Sequence, residues 1–262
     1  MSDDMLGRLN SATKYPSIPT YHELNRADGK LIDEVCQLFE GPVTLTEKID
    51  GTNGRVVVLP DGDWFIGSRE ELLYARGDRV ENPNLGIVPA LLPLAPSLAP
   101  SGHMIRVYYL EVYGYRIGPA AKQYTRDAQA VGYRLFDVAQ ADPGVLGTVR
   151  SEIAAWREHG GQLFADEGQL ESVSAAHAGL PLVPRLGTVD AADLPTSLTG
   201  MQEFLRAHLP DGTEAALDGT AGRQPEGIVL RSRDRKAIAK ARFSDYAHAL
   251  APAPVKRVRE RA

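Results

Sequence analysis

The sequence predicts an α+β fold with largely antiparallel sheets flanked by helices. Apolar β-like runs occur near both ends and in the middle of the chain, and helical patterns are interspersed among them. Short turn signals, Pro60-Asp61-Gly62-Asp63 and Ser232-Arg233-Asp234, send neighbouring runs back on themselves as hairpins.

The elements follow in order. Residues Asp28 to Gly41 read as a helix, with Leu31, Ile32, Val35, Leu38 and Phe39 on one face, Asp28 as a cap and Gly41-Pro42 as the stop. Cys36 falls inside that apolar pattern and is expected to be a buried structural thiol. Two strands follow, Val43 to Glu47 and Arg55 to Leu59, and Trp64 to Gly67 is the returning strand. Between 89 and 102 the proline spacing permits no more than a short helix between loops. Ile105 to Val112 and Val131 to Val138 are strong strand patterns. Asp142-Pro143-Gly144 opens a helix that buries Val145, Leu146, Val149, Ile153 and Trp156 and ends at Gly160-Gly161. Thr199 to Leu209 is a further helix, and Glu226 to Arg231 with Lys236 to Arg242 form a last hairpin.

With 262 residues the chain can bury a sizeable core, as one large domain or two small ones. A single cysteine excludes an internal disulfide framework and a cysteine-rich zinc site. The acidic start, Met1-Ser2-Asp3-Asp4, leads into no apolar targeting segment, and no run approaches a membrane span, so a cytoplasmic protein is expected. A net charge of −5 argues against a dispersed nucleic-acid coat but leaves room for a local basic groove. The tail carries Lys256, Arg257, Arg259 and Arg261, either a phosphate contact or a solvated end. The division is thus 1–250 as the folded domain and 251–262 as a basic tail. The few residues after Lys240 leave no length for an OB-fold.

Lys48, Glu111, Glu226, Lys240 and Arg242 all lie in or beside apolar β runs. One such charge is ordinarily a solvated edge position. Five of them, with Arg69 just after Ile66-Gly67-Ser68, point to an inward-facing site with two carboxylates and several cations. The leading segment is Lys48-Ile49-Asp50-Gly51-Thr52-Asn53, which sets a lysine two residues before an Asp-Gly turn. Such a lysine can be aimed from a sheet into a nucleotide pocket and attack phosphorus.

In their order these segments resemble the covalent nucleotidyltransferase superfamily of ATP-dependent ligases and RNA-capping enzymes, and most closely the ATP-dependent RNA ligases. The likeness runs from Lys14-Tyr15-Pro16-Ser17-Ile18-Pro19 to Tyr246. It implies a nucleotidyltransferase (adenylation) domain in which Lys48 is the nucleophile. Gly67-Ser68-Arg69 then supplies Arg69 to the nucleotide, Leu110-Glu111-Val112-Tyr113-Gly114 supplies Glu111 to the ribose, and Leu135-Phe136-Asp137 supplies Phe136 to the base. Pro225-Glu226-Gly227-Ile228-Val229-Leu230 supplies Glu226 to the metal and the lysine. Lys240-Ala241-Arg242 binds the α-phosphate, making Lys240 catalytic and Arg242 a nucleotide contact. Glu47, Ile49 and Asn53 complete the expected nucleotide contacts. The implied cofactors are ATP with Mg²⁺ or Mn²⁺, and the implied partner is RNA bearing 5′-phosphate and 3′-hydroxyl ends.

Two positions depart from the pattern. Arg242 stands where a second lysine is usual, keeping the charge but presenting a planar fork. Asp50 stands where many RNA ligases of this branch carry histidine and where DNA ligases and capping enzymes carry aspartate. A DNA ligase, a GTP-dependent capping-type enzyme and a non-ligating nucleotide-binding module therefore remain as alternatives.

The physics suits the implied roles. A lysine amine is almost wholly protonated at pH 7 unless burial or neighbouring cations weaken its hold on the proton. Arg69, Lys240, Arg242 and a metal would supply that field and also offset charge on the phosphates. No Walker loop, Gly-x-Gly-x-x-Gly, His-Glu-x-x-His or Gly-x-Ser-x-Gly motif is present, and the six histidines are scattered.

Overall fold

A computed structural model describes residues 2–76, 78–79, 86–115, 117–118, 120–177, 179–222 and 224–251. The basic cluster from Lys256 to Arg261 lies outside them. The chain opens with helix α1 (Asp3–Thr13), then strands β1 (His22–Leu24), β2 (Leu31–Val35), β3 (Pro42–Lys48), β4 (Thr52–Val58), β5 (Trp64–Ser68), β6 (Leu72–Ala75) and β7 (Asp78–Arg79). Helix α2 (Ile87–Leu91), β8 (Ile105–Gly114), α3 (Ala121–Tyr124), β9 (Val131–Ala141), α4 (Arg150–Glu158), β10 (Leu163–Phe164) and α5 (Glu167–Ala176) follow. The chain continues through β11 (Arg185–Asp190), α6 (Leu198–His208), β12 (Gly227–Ser232), β13 (Ile238–Arg242) and α7 (Phe243–Ala249).

Two antiparallel sheets dominate: one of seven strands, ordered β10-β9-β8-β4-β5-β6-β7, and one of four, ordered β11-β3-β12-β13. Neither closes on itself among the described residues. Both faces of the larger sheet are covered, so β4 is buried along its apolar run instead of alternating with solvent. Val56 and Val58 pack with Ile87 and Leu91 of α2, while Val57 between them packs with Leu9 of α1 on the opposite face. The smaller sheet buries Val43, Leu45, Ile228 and Leu230 against Met201 and Leu205 of α6 and Tyr246 of α7. Each such aliphatic side chain contributes roughly 1.5–3 kcal/mol on burial.

The Asp28–Gly41 helix does not form. Leu31–Val35 is strand β2, paired with β1. Leu31 and Val35 pack with the α6–α7 core, and Asp33 between them accepts the backbone N–H of Leu198 at 2.6 Å. The strand thus faces Leu31, Asp33 and Val35 towards the α6–α7 core, and Leu38 is left 79 % exposed. Cys36 is exposed rather than buried, its thiol donating to the Thr20 carbonyl. The helix expected from Asp142 is broken as well. Asp142 accepts from the Gly144 N–H and shapes a 3₁₀ turn over Pro143–Gly147, Thr148 is extended, and α4 starts only at Arg150. Val149 is consequently exposed, whereas Ile153 is buried as expected. The remaining expected strands and the Thr199–Leu209 helix appear within a few residues of their predicted bounds.

Candidate active site

Lys48 ends β3, and Thr52 begins β4 in the other sheet. Ile49-Asp50-Gly51 is therefore a crossover between sheets and not a hairpin. Backbone hydrogen bonds fix it from below. The Asp50 N–H donates to the Tyr124 hydroxyl at 2.6 Å, and the Gly51 N–H donates to Glu111 Oε1 at 3.1 Å. Ile49 is buried with Tyr113, Tyr124, Val183 and Ala215.

Strand register sets the charged groups side by side. Lys48 is opposite Gly227, and Gly227 is opposite Arg242; two residues along, Thr46, Val229 and Lys240 form the next row on the same face. Gly227 permits this approach, because a Cβ there would stand 2.1 Å from the Ala241 carbonyl oxygen. Glu226 precedes β12, and its carboxylate pairs with the Lys48 ammonium. Arg242 lies 3.8 Å from Glu226 and is itself held by Asp245 at 2.8 Å.

From the larger sheet, β4 and β8 set Asn53 opposite Glu111. Asn53 Oδ1 is buried without a partner among the described residues. Arg69, just beyond β5, donates to Ser17 Oγ at 2.9 Å. Phe136 on β9 meets Tyr15 edge-on at 5.0 Å and lies nearly parallel to Tyr109 at 6.2 Å.

These side chains converge on one cavity of about 410 Å³, lined among others by Lys48, Asn53, Arg69, Glu111, Phe136 and Lys240. That volume suits a nucleotide-sized ligand. Burial pushes the Glu111 carboxyl up to about 7, reinforced by Glu226 and Asp50 and opposed by the Lys48 charge and the Gly51 N–H. Burial lowers the Lys240 ammonium, and the charges of Arg242, Lys48 and Arg69 lower it further, against Asp245. Three cations thus act on Lys240 together, the arrangement expected of a site that receives a polyanion.

Of the expected residues, Ile49 and Glu47 line the cavity, but the Glu47 carboxylate is turned to the Thr213 hydroxyl and the Glu214 N–H at 2.8 Å. It braces the lysine strand. Glu226 and Arg242 do not line the cavity themselves: Glu226 adjoins it through its pair with Lys48, and Arg242 through Glu226. No cluster of three or more metal-ligating side chains exists among the described residues. Glu226 would therefore offer a single carboxylate to a cation, whose other ligands would have to come from phosphate, a donor set that would suit Mg²⁺ or Mn²⁺.

Sequence reasoning missed the rear of the cavity. Arg185 and Arg231 also line it. Arg231 is 3 % exposed and donates to Asp137 at 3.0 Å and to the Ala165 carbonyl at 2.6 Å, with Glu167 3.1 Å from its Nε. Arg235 and the Tyr15 hydroxyl close on the other Asp137 oxygen at 2.8 and 2.9 Å. The signal was available: Asp137 and Arg231 are charges inside strong apolar strand runs, as Lys48 and Glu111 are. Tyr124 left no such signal.

Comparison with known proteins adds the following. A family model described as RNA ligase matches residues 41–242. No curated protein matches the sequence. Among solved structures, an archaeal ATP-dependent RNA ligase aligns with 16 % identity and a TM-score of 0.50 over 89 % of this chain and 49 % of its own. A Naegleria gruberi RNA ligase variant with ATP and Mn aligns with 13 % identity and a TM-score of 0.53 over 88 % and 60 %. The Naegleria gruberi RNA ligase with PPi aligns with 12 % identity and a TM-score of 0.52 over 95 % and 62 %. At these identities the likeness is one of fold, and this chain spans between 49 % and 62 % of the length of those proteins.

Proposed function

The chain belongs to the RNA ligase family, and from that premise we propose that it is an ATP-dependent RNA ligase working through a lysyl-AMP on Lys48. The observation that carries this reading is the pairing of Lys48 with Glu226 at the head of a cavity that also gathers Arg69, Glu111, Phe136 and Lys240. The Lys48 amine, once deprotonated, attacks the α-phosphorus; a P–N bond forms, a P–O bond breaks and pyrophosphate leaves. The AMP then passes to an RNA 5′-phosphate, and a 3′-hydroxyl displaces it to form the phosphodiester.

This chain's residues orient and neutralise. Phe136 offers the base an aromatic face. Glu111 uses Oε1 on the Gly51 N–H, which leaves Oε2 for the ribose hydroxyls. Arg69 and Lys240 face the phosphates, and Glu226 holds the amine in line. A divalent cation, held by Glu226 and phosphate oxygens, would offset the charge that develops on them. Structures of the Naegleria gruberi RNA ligase variants with ATP and Mn support this choice of nucleotide and metal.

The test is incubation with labelled ATP or GTP and Mg²⁺ or Mn²⁺, followed by denaturing gels for a covalent adduct. ATP should label the wild type and leave Lys48→Ala and Lys48→Arg unlabelled, since guanidinium stays protonated. Sealing is then read on nicked duplexes with RNA or DNA at each strand position. Labelling retained in Lys48→Ala would sink the nucleophile; sealing of DNA nicks alone, with no activity on RNA 3′-ends, would favour a DNA ligase.

A further inference from the structure

A second cavity, of about 420 Å³, lies between helices α1 and α4 with Glu71 and Leu72 beside it. On α1 it is lined by Gly7, Asn10, Ser11 and Lys14, and on α4 by Arg150, Ala154 and Arg157. Both sets follow the spacing of a single helix face. Small residues along it (Gly7, Ser11, Ala154) leave a groove. The Arg150 guanidinium lies over Gly7, where an added Cβ would meet Nη2 at 1.5 Å. The Arg157 guanidinium donates to the Ser11 carbonyl at 2.6 Å. The groove therefore runs from Arg150 towards Lys14, roughly 10 Å for seven helical residues.

Its far end adjoins the nucleotide cavity. Lys14 pairs with Glu70 at 2.9 Å, and the next-door Arg69, which lines the nucleotide cavity, donates to Ser17. Arg157 is paired with Glu158 at 2.8 Å, and Glu71 accepts from Asn10 at 3.1 Å. Arg150 has no hydrogen-bond or ion-pair partner among the described residues. It is an exposed cation over a glycine seat, in a groove whose other end, at Lys14, is next in sequence to Tyr15 and Pro16 of the nucleotide cavity.

We propose that this α1–α4 groove is a polynucleotide subsite in which Arg150 binds a backbone phosphate of the RNA whose end is activated at Lys48. The inference rests on the ligase reading for the identity of the polymer. Arg150 lines this groove and not the nucleotide cavity, so binding and adenylation are separable.

The experiment uses Arg150→Ala and Arg150→Glu in the full chain. A fluorescent 5′-phosphorylated RNA is titrated by anisotropy from 50 to 200 mM salt, alongside self-adenylation with ATP and end joining. Both variants should label with ATP at the wild-type rate. Arg150→Ala should bind RNA several-fold more weakly, with the slope of log K against log salt shallower by about 0.7 for one single-strand phosphate. Arg150→Glu should be weaker still, Arg150→Lys should restore most binding, and end joining should follow binding. Unchanged RNA affinity and salt slope in Arg150→Glu would mean a solvated helix-end arginine and overturn the proposal, as would a wild type that labels but shows no salt-dependent RNA binding. A wild type that never labels yet binds RNA through Arg150 would retire the ligase chemistry and leave the subsite standing.

Discussion

Replacing Asp137 by alanine should cost this protein several kcal/mol of stability. The side chain is wholly inaccessible to solvent. It takes Arg231 at 3.0 Å on one oxygen, and Arg235 at 2.8 Å and Tyr15 at 2.9 Å on the other. Removing it takes the carboxylate from two guanidinium groups, 3 % and 7 % exposed, leaving Arg231 with Glu167 and the Ala165 carbonyl and Arg235 with the neutral Tyr15 hydroxyl. Breaking a buried pair from one side typically costs 3–5 kcal/mol, because the surviving charge is left uncompensated. In a chain of this size 1 kcal/mol corresponds to roughly 2–4 °C in melting temperature, so a fall of about 6–20 °C is expected. Urea and thermal unfolding measure it, with an unchanged m-value confirming that the same surface is exposed. Asp137→Asn keeps an acceptor without the charge and should fall between. Adding Arg231→Met to Asp137→Ala should recover part of the loss, a coupling of 0.5–3 kcal/mol in the double-mutant cycle. A loss below about 1 kcal/mol for Asp137→Ala, or strict additivity with Arg231→Met, would refute the view that this network holds the rear wall.

Two further outcomes are expected. Tyr124→Phe removes the acceptor for the Asp50 N–H and should slow self-adenylation by roughly tenfold, on the order of the 1–2 kcal/mol of one lost hydrogen bond, with little change in nucleotide KM; an unchanged rate would mean the crossover holds itself. Glu111, with its carboxyl at about 7, stays protonated in the folded chain where the unfolded chain has ionised, so nucleotide-free stability should fall as pH rises from about 4.5 through 7, flattening in Glu111→Gln. Nucleotide KM should improve over the upper part of that window as the carboxylate becomes an acceptor for the ribose, and a pH-independent KM would argue against that contact.

The sequence disclosed most where one residue can do only one thing. Pro60-Asp61-Gly62-Asp63 and Ser232-Arg233-Asp234 each have few permitted conformations, and the strands they separate formed as expected. The stretch from Leu31 to Phe39 is different. Its apolar residues satisfy a helical period, whereas the strand that forms puts the polar Asp33 on one face with Leu31 and Val35. The choice is made by α6, more than 160 residues away, whose first N–H needs Asp33. No local signal carries that requirement.

The site shows the same division at the level of chemistry. Lys48, Glu111, Glu226 and Lys240 were legible because each is a charge that an apolar strand does not tolerate without a reason. Asp137 and Arg231 carry the same anomaly and serve a different end: their charges neutralise each other inside the protein, whereas Lys240, set among Arg242, Lys48 and Arg69, has no ion-pair partner among the described residues. The distinction between a structural and a functional buried charge is whether its partner is supplied by the chain, and only the folded register reveals that. Thr213 illustrates the limit. It anchors Glu47 behind the lysine strand from a segment with no motif, and serine or a backbone amide would serve as well. A lysine nucleophile, the role proposed for Lys48, has no such substitutes, so its position is written in the sequence while the brace that holds it is written only in the fold.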